Sequence, residues 1–86
     1  EYALYQNYPN PFNPVTTITY ALPVSERVTL KVYDLLGAEV ALLVDAIQKA
    51  GYYGVQWVGT QYASGVYLIR MQSGKFSAIK KLILSK

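Results

Sequence analysis

Residues 7 to 14 read Asn-Tyr-Pro-Asn-Pro-Phe-Asn-Pro, and this run excludes helix and regular strand. Proline fixes φ and lacks a backbone N–H, and each residue that precedes a proline is driven toward extended backbone. Asn7, Asn10 and Asn13 are expected to close Asx turns by bonding the backbone two residues on. Tyr8 and Phe12 add apolar anchors. We therefore predict a rigid segment docked on the domain that follows.

Length and composition indicate a single folded domain. The chain has 86 residues, of which 52% are hydrophobic and 15% charged, so disorder is not expected. No apolar stretch approaches the roughly 20 residues of a membrane-spanning helix. Without cysteine the fold must be held by packing alone. We expect residues 1–14 to lead in from a preceding linker and residues 15–86 to form the domain. The start at Glu1 suggests a module of a longer precursor.

Alternation of apolar and polar residues predicts strands along most of the chain. Val28, Leu30 and Val32 share one face of the clearest strand, and Trp57 is expected in the core. No helix of useful length is predicted. The sequence thus predicts a small all-β, antiparallel immunoglobulin-like β-sandwich of six to seven strands. The strands are predicted at residues 16–21, 27–33, 39–44, 52–58, 65–72 and 75–84.

Several connections carry turn signals. Asp34 to Gly37 is predicted to be a hairpin turn, and Ser73-Gly74 a two-residue hairpin connection. Residues 45–51 are expected to form a loop with one helical turn at 46–50, and residues 59–64 another loop.

Residues that support catalysis are scarce. Histidine and cysteine are absent, so the usual general base, the commonest metal ligand and a thiol nucleophile are missing. Asp34 and Asp45 are each explained by a predicted turn. No glycine run is followed by Lys-Ser or Lys-Thr, as a phosphate-binding loop requires. We therefore predict no enzyme activity, no cofactor and no metal site.

Charge and aromatic content each admit two interpretations. Residues 1–45 carry a net charge of −3 and residues 46–86 one of +6. The basic half either blocks edge-to-edge aggregation of strands or docks an acidic partner. Nucleic acid is a poor candidate because the whole chain is only +3. The nine tyrosines and Trp57 either pack the core or form a sugar-binding platform, and Tyr5, Tyr52 and Tyr62 are expected to be the most exposed.

The chain carries a series of short motifs at residues 7–14, 16–18, 20–23, 32–37, 50–52, Trp57, 63–67 and the closing segment 80–84 with Lys86. In this order they resemble the C-terminal sorting domain of cargo proteins of the type IX secretion system. An immunoglobulin-like domain of flagellar hook-capping proteins shares much of this pattern. One departure is Val58, where the family often carries Asp after the tryptophan.

The resemblance implies an address tag on a secreted protein of a Gram-negative bacterium. The parent protein would cross the periplasm, the outer-membrane translocon would read the folded domain, and a sortase-like surface protease would remove it from the N-terminally fused cargo at the cell surface. The family's recognition motifs correspond here to Gly65, Val66, Tyr67, Lys80, Lys81, Leu82, Ile83, Leu84 and Lys86. The run Asn7, Tyr8, Pro9, Asn10, Pro11, Phe12, Asn13 and Pro14 corresponds to its structural leading motif.

The residues themselves add a mechanism and leave alternatives. A basic last strand suits strand addition to a partner sheet, and an unpaired terminal strand would allow a strand-mediated dimer. A carbohydrate-binding accessory module and a structural immunoglobulin-like spacer or assembly domain remain alternative functions.

Overall fold

Seven antiparallel strands form two packed sheets, which confirms the predicted β-sandwich. The computed structural model describes all residues from Glu1 to Lys86. It contains no helix long and apolar enough to cross a membrane. The strands are β1 (Ala3–Leu4), β2 (Val15–Leu22), β3 (Glu26–Tyr33), β4 (Glu39–Gln48), β5 (Gly51–Val58), β6 (Gly65–Ser73) and β7 (Phe76–Leu84).

The strands divide unequally between the sheets. One sheet has the order β1-β2-β5 and the other the order β4-β3-β6-β7. The hairpin between β4 and β5 therefore crosses from one sheet to the other, and these two strands form sheet edges on the same side of the sandwich. On the opposite side β1 contacts β7.

The core is built from alternate residues of the inner strands, as the period-2 pattern requires. Val28, Leu30 and Val32 are fully buried, and Trp57 is buried as predicted. The Trp57 ring lies 5.6 Å from the Phe12 ring and 5.3 Å from the Tyr67 ring, measured between centroids. Trp57 thus centres an aromatic cluster that contributes to stability beyond its buried area.

The proline-rich segment, residues 7 to 14, is docked on the sandwich as predicted. Phe12 is buried in the core, and the Asn7 side chain is buried beside Thr16, to which it donates a hydrogen bond of 2.9 Å. Leu4, which precedes the segment, is buried in the same core. The division at residue 14 stays a prediction, while the packing joins both parts in one core.

None of the three asparagines closes an Asx turn by accepting an N–H two residues on, and the Asn13 side chain makes no hydrogen bond, although Asn7 does bond the backbone two residues on as predicted. The residue two positions after Asn7 is Pro9, which has no N–H to give, so the Asn7 amide instead donates to the Pro9 carbonyl at 3.2 Å. Asn10 accepts a hydrogen bond from Ile83, a residue of the last strand. Asn10 thus holds the segment to β7, while Asn7 bonds both Thr16 of β2 and the Pro9 carbonyl within the segment.

The loop predicted at residues 45–51 is wrong, because β4 continues to Gln48. Its added residues pair with residues 26–29 of β3, on the side of that strand that faces away from β6 and would otherwise lack backbone partners. Asp45 consequently lies within a strand, opposite Thr29, and forms an ion pair of 2.7 Å with Arg27. Only Lys49 and Ala50 separate β4 from β5.

Two smaller predictions also need correction. Ser73 pairs with Phe76, so the two-residue connection is Gly74-Lys75, with Gly74 at a φ of +56°. Ser73 stays in the sheet because its buried hydroxyl donates to the Arg27 carbonyl at 2.8 Å. Tyr62, expected to be exposed, packs against Trp57 and donates its hydroxyl to the Val40 carbonyl at 2.9 Å.

The hairpin turn at Asp34 is confirmed. One carboxylate oxygen of Asp34 accepts the N–H groups of Leu36 and Ala38 at 2.9 and 3.0 Å. Gly37 has a φ of +89°, which L-residues with side chains rarely adopt. The turn exposes both leucines, and Leu36 retains 95% of its accessible surface.

Candidate recognition surface on the last hairpin

The register of the last hairpin brings together the two segments singled out in the sequence. Gly65 pairs with Leu84, Val66 with Ile83 and Tyr67 with Leu82. Residues that are about 17 positions apart in sequence thus lie side by side at one end of the four-stranded sheet. The segments therefore form one ladder, with the exposed leucines of the Asp34 turn at the same end of the sheet.

Burial divides this ladder into core and surface residues. Tyr67, Leu82 and Leu84 are only 8%, 0% and 1% exposed, and all three belong to the hydrophobic core. Val66 and Ile83 are half-buried neighbours on the outer face, which looks away from the other sheet. A partner of the folded domain can therefore contact only some of the predicted recognition residues.

The two adjacent lysines lie on opposite faces of β7. Lys81 is exposed on the outer face, where its cross-strand neighbour is Leu68. Lys80 pairs with the fully buried Ile69, so it lies on the core-facing side of the strand and is only half-exposed. An inward-pointing charge on an edge strand is a recognised barrier to edge-to-edge pairing. The two lysines do not form one basic patch.

Lys86 fastens the end of the last strand to the preceding loop. Its backbone N–H donates to the Ser64 hydroxyl at 3.0 Å, and its ammonium donates to the Thr60 carbonyl at 2.7 Å. The motif at residues 63–65 and the final lysine are thereby joined. Within the loop between β5 and β6, the Tyr62 N–H donates a hydrogen bond of 3.0 Å to the Gly59 carbonyl, which keeps this loop compact.

The outer edge of β7 is partly occupied by the proline-rich segment. The Phe12 N–H donates to the Ile83 carbonyl, and the Ser85 N–H donates to the Phe12 carbonyl, both at 2.9 Å. The amide of Gln6 donates to the Lys81 carbonyl at 2.8 Å. Strand addition at the end of β7 would have to displace these contacts. The unoccupied part of this edge is limited to residues 77 to 80.

Positive charge on the outer face of the four-stranded sheet is balanced on one side only. Arg27 pairs with Asp45 at 2.7 Å and Lys31 with Glu39 at 3.5 Å, both between β3 and β4. No acidic residue lies on β6 or β7. The β6–β7 half of the face therefore has unbalanced positive charge, which includes Lys81.

The outer face of the three-stranded sheet is different, because its strands place no charged residue there. Tyr5, Tyr8 and Tyr52 are exposed on it, opposite Thr19, Thr17 and Ala21 respectively, as the strand pairing shows. Tyr8 and Tyr52 retain 81% and 82% of their surface. Exposure of Tyr5 and Tyr52 was predicted, whereas that of Tyr8 was missed because its run suggested an apolar anchor.

Two tyrosine hydroxyls have shifted ionisation. The pKa of Tyr2 is raised, chiefly because its hydroxyl donates a hydrogen bond to the Glu26 carboxylate. Burial raises the pKa of Tyr20, whose hydroxyl donates to the Gln48 side chain at 2.5 Å. Neither tyrosine lies near a nucleophile or a metal-binding cluster, and no group of three acidic side chains is present to hold a metal ion. The Tyr2 contact joins the residue before β1 to β3, and the Tyr20 contact joins β2 to β4.

The contacts of Gln6 and Asn10 with β7 were not foreseen from the sequence. For Asn7 the sequence did contain a signal. An asparagine two positions before a proline cannot accept an N–H from that proline, so its side chain must find another partner. The choice of β7 as the partner depends on a long-range arrangement that local patterns do not contain.

Comparison with known families gives one match that spans nearly the whole chain. The family described as Secretion system C-terminal sorting domain matches residues 6–85. The match includes the proline-rich segment, both strands of the last hairpin and every predicted recognition residue except Lys86. Neither the curated proteins nor the solved structures include a match to this chain.

Proposed function

Because this chain belongs to the C-terminal sorting domain family of type IX secretion, we propose that the β6–β7 ladder is the part of the domain that the outer-membrane translocon recognises. The observation that carries the proposal is the register that sets Val66 against Ile83 and Gly65 against Leu84. The domain acts as an address on the fused cargo, which is delivered to the cell surface or the extracellular space.

The structure suggests a division of roles within this ladder. Buried Tyr67, Leu82 and Leu84 hold the two strands in position, and exposed groups make the contacts. Val66 and Ile83 offer an apolar contact, and the unpaired charge of Lys81 lies beside it on the same face. Electrostatic complementarity of this kind contributes mainly to specificity and to the rate of association.

A reporter fusion tests the proposal in a bacterium that has this secretion system. The reporter carries an N-terminal export signal and this chain at its C-terminus, and surface delivery is measured on intact cells. Deleting residues 82–86 would also remove buried Leu82 and Leu84, so loss of folding would be confused with loss of recognition. Surface substitutions are therefore required.

Lys81→Glu should reduce surface delivery about tenfold or more, because reversing a rim charge opposes docking. The matched control is Lys75→Glu, which makes the same change at the exposed turn at the other end of the hairpin. Both variants should unfold at the wild-type temperature. Equal delivery by the two variants would contradict a recognition role for this end of the ladder.

We also propose that a sortase-like protease cuts the linker upstream of Tyr2. Residues from Tyr2 onward are engaged with the domain: the Tyr2 ring stacks on Phe76 at 5.0 Å, and Ala3 pairs with Ala21. Proteolysis is concentrated in exposed, unpaired chain. Mass spectrometry of the released cargo should therefore show a C-terminus that precedes Tyr2, and a cut within residues 3–12 would contradict this placement.

The exposed tyrosines support a second candidate, the binding of a neutral polysaccharide. Tyr5, Tyr8 and Tyr52 share an uncharged sheet face with the hydroxyls of Thr17 and Thr19. Aromatic rings and hydroxyl groups are typical of sites that bind uncharged sugars. Affinity electrophoresis in gels that contain neutral polysaccharide should show retardation, and Tyr8→Ala should abolish it. Unretarded wild-type protein would remove this candidate.

A further inference from the structure

Three of the four sheet edges are protected against pairing with another strand, and β5 is the exception. Strand β1 has two residues, and the proline-rich segment covers part of β7, which also carries Lys80 facing inward. Strand β4 contains two register shifts against β3 and two acidic residues. Short strands, bulges, covering segments and inward charges are all known protections of sheet edges.

Strand β5 has none of these protections. Its eight residues, Gly51 to Val58, include no charge and no proline, and they pair with β2 in an unbroken register. No other part of the chain gives a backbone hydrogen bond to the opposite side of β5. A long, regular and uncharged edge of this kind is a template for strand addition.

The hydrogen bonds of β2 identify which groups on β5 are free. Tyr8 and Thr17 exchange two backbone hydrogen bonds of 3.0 Å, so the N–H and C=O of Thr17 point away from β5. Because these groups alternate along a strand, β2 bonds to every second residue of β5, and the others point to open solvent. The residues with free N–H and C=O groups are Tyr52, Gly54, Gln56 and Val58.

We propose that this edge binds a second copy of the same chain, with the two β5 strands antiparallel about a two-fold axis at Val55. In this register Tyr52 lies opposite Val58 of the second copy, and Gly54 lies opposite Gln56 of the second copy. All four residues with free groups are then used in each chain, which gives about eight interstrand hydrogen bonds. The three-stranded sheets of the two copies then become one continuous six-stranded sheet.

Side chains favour a second copy over an unrelated strand. Tyr52 and Val58 are the two large hydrophobic residues that β5 exposes, at 82% and 49%, and they lie at equal distances from Val55. The two-fold pairing sets each against the other, an aromatic residue against a β-branched one, which is a favourable cross-strand pair. Because β5 is uncharged, pairing it with itself places no like charges opposite one another. Such an interface is self-complementary, as two-fold symmetry requires.

A single strand pair is a small interface, so the dimer is expected to be weak. Sedimentation velocity of the 86-residue chain from about 1 μM to about 1 mM covers the range in which weak complexes dissociate. We expect a concentration-dependent shift from monomer to dimer. A second measurement needs no variant: hydrogen exchange at Tyr52, Gly54, Gln56 and Val58 should slow at high concentration, while exchange at Ser77 and Ile79 should not.

Gln56→Pro removes one free N–H and leaves the bonds to β2 intact, because proline is tolerated on an edge strand where its nitrogen faces solvent. This variant should stay folded and monomeric at about 1 mM. Gln56→Ala keeps the N–H and should dimerise as the wild type does. Ile79→Pro makes the corresponding change on β7 and should also dimerise.

Three results would overturn the proposal: a wild-type chain that stays monomeric throughout, a Gln56→Pro variant that still dimerises, or a dimer lost only with Ile79→Pro. The last result would assign the interface to the terminal strand. None of these results bears on the sorting function, because that role is tested by surface delivery of the reporter.

Discussion

Asn10 accepts the backbone N–H of Ile83 through its side-chain oxygen at 3.0 Å, which joins residues 73 positions apart. With the two backbone bonds of Phe12, this contact makes the proline-rich segment an additional cover along the last strand. The start and the end of the domain therefore stabilise each other. This relationship has consequences for stability that single substitutions can measure.

Asn10→Ala should lower the free energy of unfolding by about 1–2 kcal/mol, because the partly buried Ile83 N–H loses its acceptor. Denaturant titration followed by Trp57 fluorescence gives the value. Asn13→Ala is the matched control, since the exposed Asn13 side chain makes no hydrogen bond, and its effect should stay within about 0.5 kcal/mol. Equal losses for the two variants would show that Asn10 does not hold β7.

Phe12→Ala should cost about 3–5 kcal/mol, since it removes a fully packed ring and leaves a cavity beside Trp57. Domains are typically stable by only about 5–15 kcal/mol, so this variant should be close to unfolding. Its Trp57 emission should shift to longer wavelength as water reaches the indole. Tyr8→Ala, which truncates an exposed ring in the same segment, should change neither stability nor emission. A stable Phe12→Ala variant would mean that the segment is an appendage.

Tyr20 should make stability depend on alkaline pH. Burial raises its pKa in the folded state above the ordinary value of 10.0, so the stabilisation is complete below pH 10 and is lost as pH rises through the raised pKa. At neutral pH, Tyr20→Phe should cost about 1 kcal/mol because the hydrogen bond to Gln48 is lost. Urea titrations from pH 7 to pH 11 should show the difference between wild type and variant shrinking above pH 10. A constant difference would contradict this account.

Local patterns predicted the strands well, because burial on one face leaves a period-2 signal that needs no knowledge of the partner. The alternation at Val28, Leu30 and Val32 is an example, and all three are fully buried. The same reasoning failed where a long-range pairing decided the structure. Nothing near Ala46 and Ile47 indicates that β4 must continue there; the reason is that residues 26–28 of β3 need partners.

The recognition surface was predicted in part for a similar reason. Motifs identified two segments of the last hairpin, and the strand register joins them. The sequence could not assign different roles to Lys80 and Lys81. Which of two adjacent lysines on a strand faces the core is known only once the pairing of the strand is known. It also gave no indication that β7 is partly covered, since the covering contacts come from Gln6, Asn10 and Phe12 at the opposite end of the chain.

Asp34 offers a test of whether a turn motif acts through its hydrogen bonds or through its charge. Its carboxylate accepts the N–H groups of Leu36 and Ala38, and asparagine can accept the same two bonds with its amide oxygen. Asp34→Asn should therefore stay within about 0.5 kcal/mol of the wild type, while Asp34→Ala should lose about 1–2 kcal/mol.

Hydrogen exchange adds a local measurement at the same turn. The amides of Leu36 and Ala38 should exchange faster in Asp34→Ala and at the wild-type rate in Asp34→Asn, because only the alanine variant leaves them without an acceptor. If the two variants lose the same stability, the negative charge of Asp34 matters more than its hydrogen bonds. In that case added salt should narrow the gap between wild type and both variants, since screening weakens exposed charge interactions.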